Sequence, residues 1–197
     1  MSLPILLASS SPYRKQLLEK LQLPFECASP DIDESIQKNE KPEDYVQRLA
    51  VEKAKALAAE YPNHLIIGSD QCAVLKQEAK YTVLGKPHTV ENAIKQLSQA
   101  SGQSVTFLTG LCVYNSKTDQ HSSLVEPFIV HFRELTQAQI ERYIEQEKPL
   151  GCAGSFKSEG LGIRLFKALE GRDPNSLIGL PLIALVDLLE QQGIQVL

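Results

Sequence analysis

Short apolar segments alternate with amphipathic helical segments through the first half of the chain, and this alternation limits the folds that the sequence can adopt. The predicted strands there are Leu3–Ala8, Phe25–Ser29 and His64–Leu75. The predicted helices between them contain Leu17, Leu18 and Leu21 or span Pro42–Glu60. Farther along, the pattern predicts helices at Val90–Ala100, Thr136–Glu147 and Pro181–Gln191, paired strands at Val105–Tyr114 and Leu124–Phe132, and a last strand at Ile194–Leu197. Alternating strands and helices together with paired strands indicate an α/β fold with a mixed sheet.

Length and charge limit the organisation and the partners of the chain. With 197 residues, of which 43% are hydrophobic, it can bury the core of one domain over residues 1–197. Whether that domain has two lobes stays open. Its net charge is -4, so the chain lacks the basic surface that is typical of a nucleic-acid-binding protein. We therefore expect no nucleic-acid partner, and any phosphate to be bound locally by a few Lys and Arg side chains.

The cysteines and the apolar segments indicate the cellular compartment. Cys27, Cys72, Cys112 and Cys152 are far apart and form no Cys-x-x-Cys pair, so we interpret them as small buried residues. The sequence shows no secretory signal and no apolar stretch that would span a bilayer. We expect a cytoplasmic protein without a membrane partner.

Ser9, Ser11, Pro12 and Arg14 stand between the first predicted strand and the first predicted helix. Ser11 is a favourable N-cap and Pro12 a favourable first helical residue. A helix start attracts phosphate, and Ser9, Ser11 and Arg14 add donors suited to it. An ordinary capped helix with a surface arginine is the alternative.

Lys53 lies near the middle of the apolar stripe of the long predicted helix. The stripe consists of Val46, Leu49, Ala50, Ala54 and Leu57. A lysine in this place must either extend out of the core to solvent or meet an anion.

Asp70 follows the apolar residues Leu65–Ile67 and Gly68 within the predicted central strand. Sites of open α/β sheets gather beyond the carboxyl ends of strands. A carboxylate there can hold a metal ion or accept a proton from water, and a strand-end or turn aspartate is the alternative.

Three further segments are weaker candidates. The acidic run Asp31–Glu34 could supply oxygen ligands to a hard cation, or it is an exposed loop. Lys86, in the predicted turn Gly85–Pro87, could reach a phosphate or be solvated. The small residues of Gly151–Gly160 allow close backbone approach to a ligand, and Glu159 among them could accept hydrogen bonds from a nucleobase. No P-loop, Gly-x-Ser-x-Gly or His-Glu-x-x-His motif occurs, and the four histidines are isolated.

Taken together, these segments resemble the Maf family of nucleotide pyrophosphatases. The matching motifs are Leu7–Arg14, Asp33–Glu34, Glu52–Ala54, Gly68–Gln71, Gly85–Pro87, Val130–Arg133, Ala153–Phe156 and Gly179–Pro181. The resemblance implies a mixed central sheet flanked by helices, in two lobes with a cleft, similar to the inosine-triphosphate pyrophosphatases. It also implies cleavage between the α- and β-phosphates of a nucleotide with a divalent cation, Mg²⁺ or Mn²⁺.

The resemblance also implies the roles of individual residues. Asp70 is expected to be the general base and, with Glu34, a metal-side carboxylate. The expected phosphate-binding residues are Ser9, Ser11, Arg14, Lys53 and Lys86. Whether Lys157 and Arg133 also contact phosphate is left open, and so is whether the protein forms a homodimer.

Three residues depart from the commonest Maf pattern and indicate the substrate. Tyr13 replaces the usual Arg, Gln71 a Thr and Glu159 a Gln, and together they resemble the branch that hydrolyses 7-methyl-GTP. Methylation makes this guanine cationic, so that Tyr13 could stack on it and Glu159 could accept from its ring N–H and amino group. The alternatives are a dTTP or UTP pyrophosphatase, and a nucleotide-binding regulator of cell division with little catalysis.

Overall fold

A computed structural model describes residues 3–77 and 80–197, and the strands in this part of the chain form one mixed seven-stranded sheet. The strand order is β2-β1-β3-β5-β6-β7, and β4 pairs with β3. The strands are β1 Ile5–Ala8, β2 Phe25–Ala28, β3 Leu65–Gln77, β4 Lys80–Leu84, β5 Ser104–Asn115, β6 Gln120–Phe132 and β7 Phe166–Gly171. The α-helices are α1 Pro12–Glu19, α2 Pro42–Ala56, α3 Val90–Ala100, α4 Gln137–Glu147, α5 Asn175–Ile178 and α6 Leu182–Gln191. The predicted mixed α/β fold is therefore confirmed.

The chain divides into two compact units. The first unit combines the described residues up to Gln71 with Thr109–Glu126 and Asp173–Leu197. The second unit contains the described residues of Cys72–Leu108 and Pro127–Arg172. Strands β3, β5 and β6 each begin in one unit and end in the other.

In the first unit, helices cover both faces of a parallel part of the sheet. β1 pairs in parallel with β2 and with β3, so that Ile5 lies opposite both Phe25 and Leu65. Successive side chains of a strand point to opposite faces. Ile5 and Leu7 pack with α1 and α6, whereas Leu6 packs with α2. Burial on both faces explains why β1 is apolar at every position.

Two glycines let α2 pack closely against the sheet. A Cβ on Gly68 of β3 would lie 2.0 Å from the carbonyl oxygen of Ala50. A Cβ on Gly110 of β5 would lie 2.1 Å from the carbonyl oxygen of Val46. Any side chain at either position would push the helix away from the sheet, so the glycines determine the depth at which α2 lies.

The second unit is built around antiparallel strand pairs and an aromatic cluster. β4 pairs antiparallel with β3, and β7 pairs antiparallel with β6. Edge-to-face contacts with ring centroids 4.9–5.6 Å apart connect four phenylalanines, Phe107, Phe132, Phe156 and Phe166. Phe156 belongs to the glycine-containing segment Gly151–Gly160, and this part of it is packed into the core of the unit.

The ends of the chain's elements differ in places from the prediction. The helix predicted at Val90–Ala100 has those bounds, and Thr136 is the N-cap of α4, with a capping box to Gln139, instead of its first helical residue. The strand predicted at Ile194–Leu197 is wrong. Ile194 packs in the apolar core of the first unit, so its hydrophobicity serves packing without strand pairing.

Two strands were not predicted, because their residues are too polar to form an apolar segment. They are β4, with the sequence Lys-Tyr-Thr-Val-Leu, and β7, with Phe-Lys-Ala-Leu-Glu-Gly. In β7 only Phe166 is buried, and the following five residues are exposed. Strands of this kind depend on backbone pairing with a neighbour that is distant in sequence.

The interpretation of all four cysteines as buried is wrong for two of them. Cys72 and Cys112 are buried, Cys152 is half-buried and Cys27 is exposed, and all four are free thiols. Burial raises the pKa of the Cys112 thiol to about 12. Within residues 3–77 and 80–197, no helix combines the length and the apolar character needed to cross a bilayer.

We expect Gly68→Ala to lower the free energy of unfolding by about 3 kcal/mol, because its Cβ would overlap the backbone of α2. Urea denaturation followed by circular dichroism measures this loss. Gly151→Ala is the matched control, since a Cβ there would meet no described atom within 4 Å. Equal stabilities of the two variants would contradict the role of Gly68 in helix packing.

Candidate functional site

Lys53 of α2 is held between two carboxylates. Its Nζ lies 2.6 Å from Oδ1 of Asp70 and 2.7 Å from Oε1 of Glu34. Only 7% of Lys53 is exposed, and Val46, Leu49, Ala50 and Ala54 of the same helix are buried around it. Of the two alternatives for a lysine in the apolar stripe, the structure shows the one in which it meets an anion.

Strand alternation brings Asp70 to Lys53. Gly68 faces α2, and Asp70, two residues farther along β3, points to the same face of the sheet. Asp70 is 7% exposed, so its charge is largely removed from water. A buried carboxylate needs a partner charge, and Lys53 provides it.

On the opposite face of β3, Ser69 and Arg14 share one acceptor. Nε of Arg14 donates to the carbonyl oxygen of Gly179 at 2.8 Å, and Oγ of Ser69 lies 2.9 Å from the same oxygen and from that of Gly110. Gly179 has φ +117°, a left-handed conformation that side chains rarely adopt. The carbonyl of Gly179 therefore fixes the direction of the Arg14 guanidinium.

Arg14 adds a second cation to the same site. Burial lowers the pKa of its guanidinium, while the negative charges of Asp70 and Glu34 act in the opposite direction. Arginine nevertheless stays protonated at neutral pH. Lys53 thus contacts Asp70 and Glu34 directly, and Arg14 interacts with the same two carboxylates through its charge.

The start of α1 is capped as the sequence predicts. Ser11 is the N-cap, its Oγ accepts a hydrogen bond from the Arg14 amide at 3.4 Å, and Pro12 begins the helix. Oγ of Ser9 accepts from the Ser11 amide at 3.1 Å. Both serines thereby shape the turn that presents Arg14. Tyr13, 37% exposed, belongs to the same first turn.

Gln71 has partners within the first unit. Its Nε2 lies 2.7 Å from the carbonyl oxygen of Ser176, 3.2 Å from that of Leu177 and 3.0 Å from Oγ1 of Thr109. An amide nitrogen has two hydrogens to donate, so these acceptors can use its full capacity. The geometry gives Gln71 a structural role beside the base-recognition role that the sequence predicts.

Lys86, the remaining predicted phosphate-binding residue, belongs to the second unit. It is exposed in the irregular segment between β4 and α3. The segment is held on both sides of Lys86, because Gln96 donates to the carbonyl oxygen of Gly85 at 3.1 Å and Asn92 to that of Pro87 at 3.0 Å.

Glu159 is exposed in the second unit, in a segment held by Glu147 of α4. Oε2 of Glu147 accepts from the Leu161 amide at 2.7 Å, and its Oε1 lies 3.3 Å from Nζ of Lys157. Oγ of Ser158 donates to Oε2 of Glu159 at 3.1 Å. Lys157, which stayed open as a phosphate contact, has Glu147 as an ion-pair partner.

Several residues that shape the site were not predicted from the sequence. Arg48 and Glu40 form an ion pair beside the acidic loop, and Asp173 is fully buried. Oδ2 of Asp173 accepts from the Ile183 amide in the first turn of α6, and its Oδ1 accepts from the Asn175 amide, each at 2.8 Å. The turn sequence Asp173-Pro174-Asn175 is a capping signal that could have identified Asp173. Arg48 belongs to no comparable local motif, because its partner Glu40 lies before the start of α2 and outside the helical periodicity.

Glu34 and Asp70 fit a divalent cation. Their oxygens converge on one ammonium group, and carboxylate oxygens are the ligands that Mg²⁺ and Mn²⁺ prefer. Among residues 3–77 and 80–197, no group of three or more His, Cys, Asp and Glu side chains is arranged to hold a metal ion. Mg²⁺ is commonly bound by one or two carboxylates together with substrate phosphates, so this pair meets the usual requirement.

Comparisons with known proteins identify the family. Residues 4–192 match the family model described as "Maf-like protein", and the chain belongs to this family. It is 62% identical to a 7-methyl-GTP pyrophosphatase of Colwellia psychrerythraea, over 98% of this chain and 94% of that one. It is 61% and 57% identical to proteins of the same name from Pseudomonas savastanoi pv. phaseolicola and Pseudomonas aeruginosa, over 98% of each chain.

A solved structure shows the same fold. The Ham1 protein of Staphylococcus aureus aligns with a TM-score of 0.52 at 13% identity, over 96% of this chain and 99% of that one. At this identity the similarity shows a shared fold alone.

We expect Lys53→Met to lower the free energy of unfolding by about 3 kcal/mol, because it removes the ammonium group that contacts the buried Asp70. The double variant Lys53→Met/Asp70→Asn should lose less than the sum of the two single variants, with a coupling of about 1–2 kcal/mol. Urea denaturation of all four proteins at neutral pH gives the coupling. Strictly additive losses would show that the contact is not energetically significant.

Proposed function

We propose that the protein hydrolyses 7-methyl-GTP to 7-methyl-GMP and pyrophosphate. The observation that carries this proposal is the Glu34–Lys53–Asp70 arrangement, which suits water activation beside phosphate. It occurs in a chain that is 57–62% identical, over almost its full length, to proteins named 7-methyl-GTP pyrophosphatase.

Asp70 is suited to act as the general base. Lys53 holds its Oδ1, and a carboxylate has a second oxygen that can accept a hydrogen bond from water. As the water oxygen bonds to the α-phosphorus, Asp70 takes its proton. The bond between the α-phosphorus and the α,β-bridging oxygen then breaks, and pyrophosphate leaves with the electron pair.

The cations of the site are suited to bind the triphosphate. Arg14 is oriented by the carbonyl of Gly179, and its planar fork matches phosphate oxygens. Ser9 and Ser11 shape the helix start beside it, where the helix dipole favours an anion. Lys86 is proposed as a further phosphate contact.

A bound divalent cation, Mg²⁺ or Mn²⁺, would be held by Glu34 and Asp70 and would neutralise charge on the phosphates. The chain's own contribution is to direct both carboxylates to one point, which Lys53 does.

Tyr13 and Glu159 are proposed to recognise the base, and their exposure leaves both side chains accessible to a ligand. The aromatic face of Tyr13 suits the cationic 7-methylguanine ring, and the carboxylate of Glu159 suits its ring N–H and amino group. Gln71 is proposed to support this recognition through the segment that it contacts.

The whole chain, 1–197, acts as one Maf-type domain on a small-molecule nucleotide. It works in the cytoplasm without nucleic acid or a membrane, and a homodimer is the assembly to test.

We expect wild-type protein with Mg²⁺ or Mn²⁺ to release pyrophosphate from 7-methyl-GTP at least about tenfold faster than from GTP, UTP or dTTP, since the base contacts favour a cationic guanine. Asp70→Asn should lower the rate at least about a hundredfold while nucleotide still binds, because the general base is lost. A coupled pyrophosphate assay and equilibrium binding measure the two quantities.

Asp44→Asn, an exposed acid in the first turn of α2, is the control for Asp70→Asn and should keep the wild-type rate. Faster turnover of UTP or dTTP would keep the chemistry but overturn the substrate. Binding without pyrophosphate release from any triphosphate would favour the nucleotide-binding regulator.

We expect Glu159→Gln and Tyr13→Arg each to reduce the preference for 7-methyl-GTP over GTP by about tenfold, because each removes a contact that favours the positive ring. The ratio of the two kcat/KM values measures the preference. Glu145→Gln removes an exposed carboxylate of α4 and serves as the control for charge. An unchanged ratio in both site variants would show that the base is recognised elsewhere.

A further inference from the structure

The loop that carries Glu34 has no helix or strand of its own. Residues 31–37 are irregular, and the side chain of Glu34 is 58% exposed, yet its carboxylate lies 2.7 Å from Nζ of Lys53. An exposed glutamate on an irregular loop loses considerable conformational entropy when it is held in one place. Other contacts must therefore keep the loop in position.

We propose that Arg48 is a positioning residue, which holds the loop 31–40 so that Glu34 reaches Lys53 and Asp70. The role of Glu34 as a metal-side carboxylate, on which the inference depends, rests on the proposed function. Arg48 itself would touch neither the nucleotide nor the cation.

The guanidinium of Arg48 binds the loop at two points. Its Nε and Nη2 donate to the two carboxylate oxygens of Glu40 at 2.6 and 2.8 Å, and Nη2 also donates to the carbonyl oxygen of Ser35 at 3.1 Å. Ser35 is the residue directly after Glu34. These hydrogen bonds lower the pKa of Glu40, which therefore stays ionised at neutral pH.

Tyr45, one turn earlier on α2, adds a third point of attachment. Its hydroxyl donates to the carbonyl oxygen of Glu34 at 3.0 Å, and the Arg48 guanidinium lies 5.7 Å from the centre of its ring. Tyr45 and Arg48 are three residues apart and face the same side of the helix. The carbonyl groups of two consecutive residues, Glu34 and Ser35, are thus attached to one face of α2.

An ordinary surface ion pair is the alternative explanation for Arg48, and the geometry disfavours it. Exposed ion pairs contribute little, but here the Glu40 side chain is 8% exposed and the Arg48 side chain 19%. The contact with Glu40 is bidentate, and the bond to a backbone carbonyl has no function in a simple ion pair. Lysine could not reproduce these contacts, because it lacks the planar fork.

The helix also provides a matched control. Glu52 lies one turn beyond Arg48 and accepts from its Nη1 at 3.0 Å, and it belongs to α2 and not to the loop. Glu52→Gln therefore removes an ionic partner of Arg48 and leaves the attachments to Ser35 and Glu40 in place.

The experiment compares wild-type protein with Arg48→Lys, Arg48→Ala and Glu52→Gln. Hydrogen exchange by mass spectrometry, without metal or nucleotide, measures the order of the loop through the amides of residues 33–40. Mn²⁺ titration followed by electron paramagnetic resonance measures cation affinity, and pyrophosphate release at varied Mn²⁺ gives the activation constant.

We expect both Arg48 variants to exchange the loop amides about tenfold faster and to bind Mn²⁺ about tenfold more weakly, as is usual when a residue that orients a metal ligand is lost. Saturating Mn²⁺ should restore most of kcat, because Asp70 and Lys53 are unchanged. Glu52→Gln should behave like wild type in each measurement.

Wild-type exchange in the Arg48 variants would overturn the inference, and so would faster exchange with wild-type Mn²⁺ affinity. A wild-type protein that binds no Mn²⁺ would also overturn it. A wild-type protein that binds Mn²⁺ but releases no pyrophosphate would refute the proposed function alone, since the exchange and binding measurements do not require turnover.

Discussion

The ammonium group of Lys53, placed in the apolar stripe of α2, requires negative partners, because a buried charge without them is costly. Asp70 and Glu34 meet this requirement, and each depends on a different part of the first unit. Asp70 reaches Lys53 because β3 turns it to the α2 face and because Gly68 and Gly110 let the helix lie close. Glu34 reaches it from a loop that is attached to the same helix. Helix, strand and loop therefore have to be in place together before the lysine is neutralised.

Strand β3 separates two tasks by its alternation. Its α2 face carries Asp70, which pairs with Lys53. Its other face carries Ser69 and Gln71, which contact the backbone of the segment that follows Asp173. That segment in turn orients Arg14 through the carbonyl of Gly179. The strand thus places Asp70 on one face and the residues that support the segment orienting Arg14 on the other. A shift of one residue in register would exchange these two sets of side chains between the faces.

The sequence predicts this site only as far as its local patterns extend. The apolar stripe of α2 and the apolar residues that precede Asp70 in β3 are local patterns, and they identify Lys53 and Asp70 as polar residues that need partners. The N-cap Ser11 is equally local, and the structure shows it. The attachments by Arg48 and Tyr45, and the capping by Asp173, join residues through a loop or a turn whose path no periodicity encodes. For the same reason β4 and β7 were missed, whereas Ile194 looked like a strand because packing and pairing both favour apolar residues.

The ammonium group of Lys53 has enough N–H donors for two carboxylates and one further acceptor. An ammonium group has three N–H donors, and two of them are directed at Asp70 and Glu34. Under the proposed function, the third would donate to a phosphate oxygen without loss of either carboxylate contact. With Arg14 included, the formal charges of two cations and two carboxylates cancel, so these four groups by themselves do not attract a triphosphate. Under the proposed function, the charge that attracts substrate must then come from the divalent cation and from lysines outside this group, such as Lys86, and weak binding of nucleotide in the absence of metal follows from the same balance.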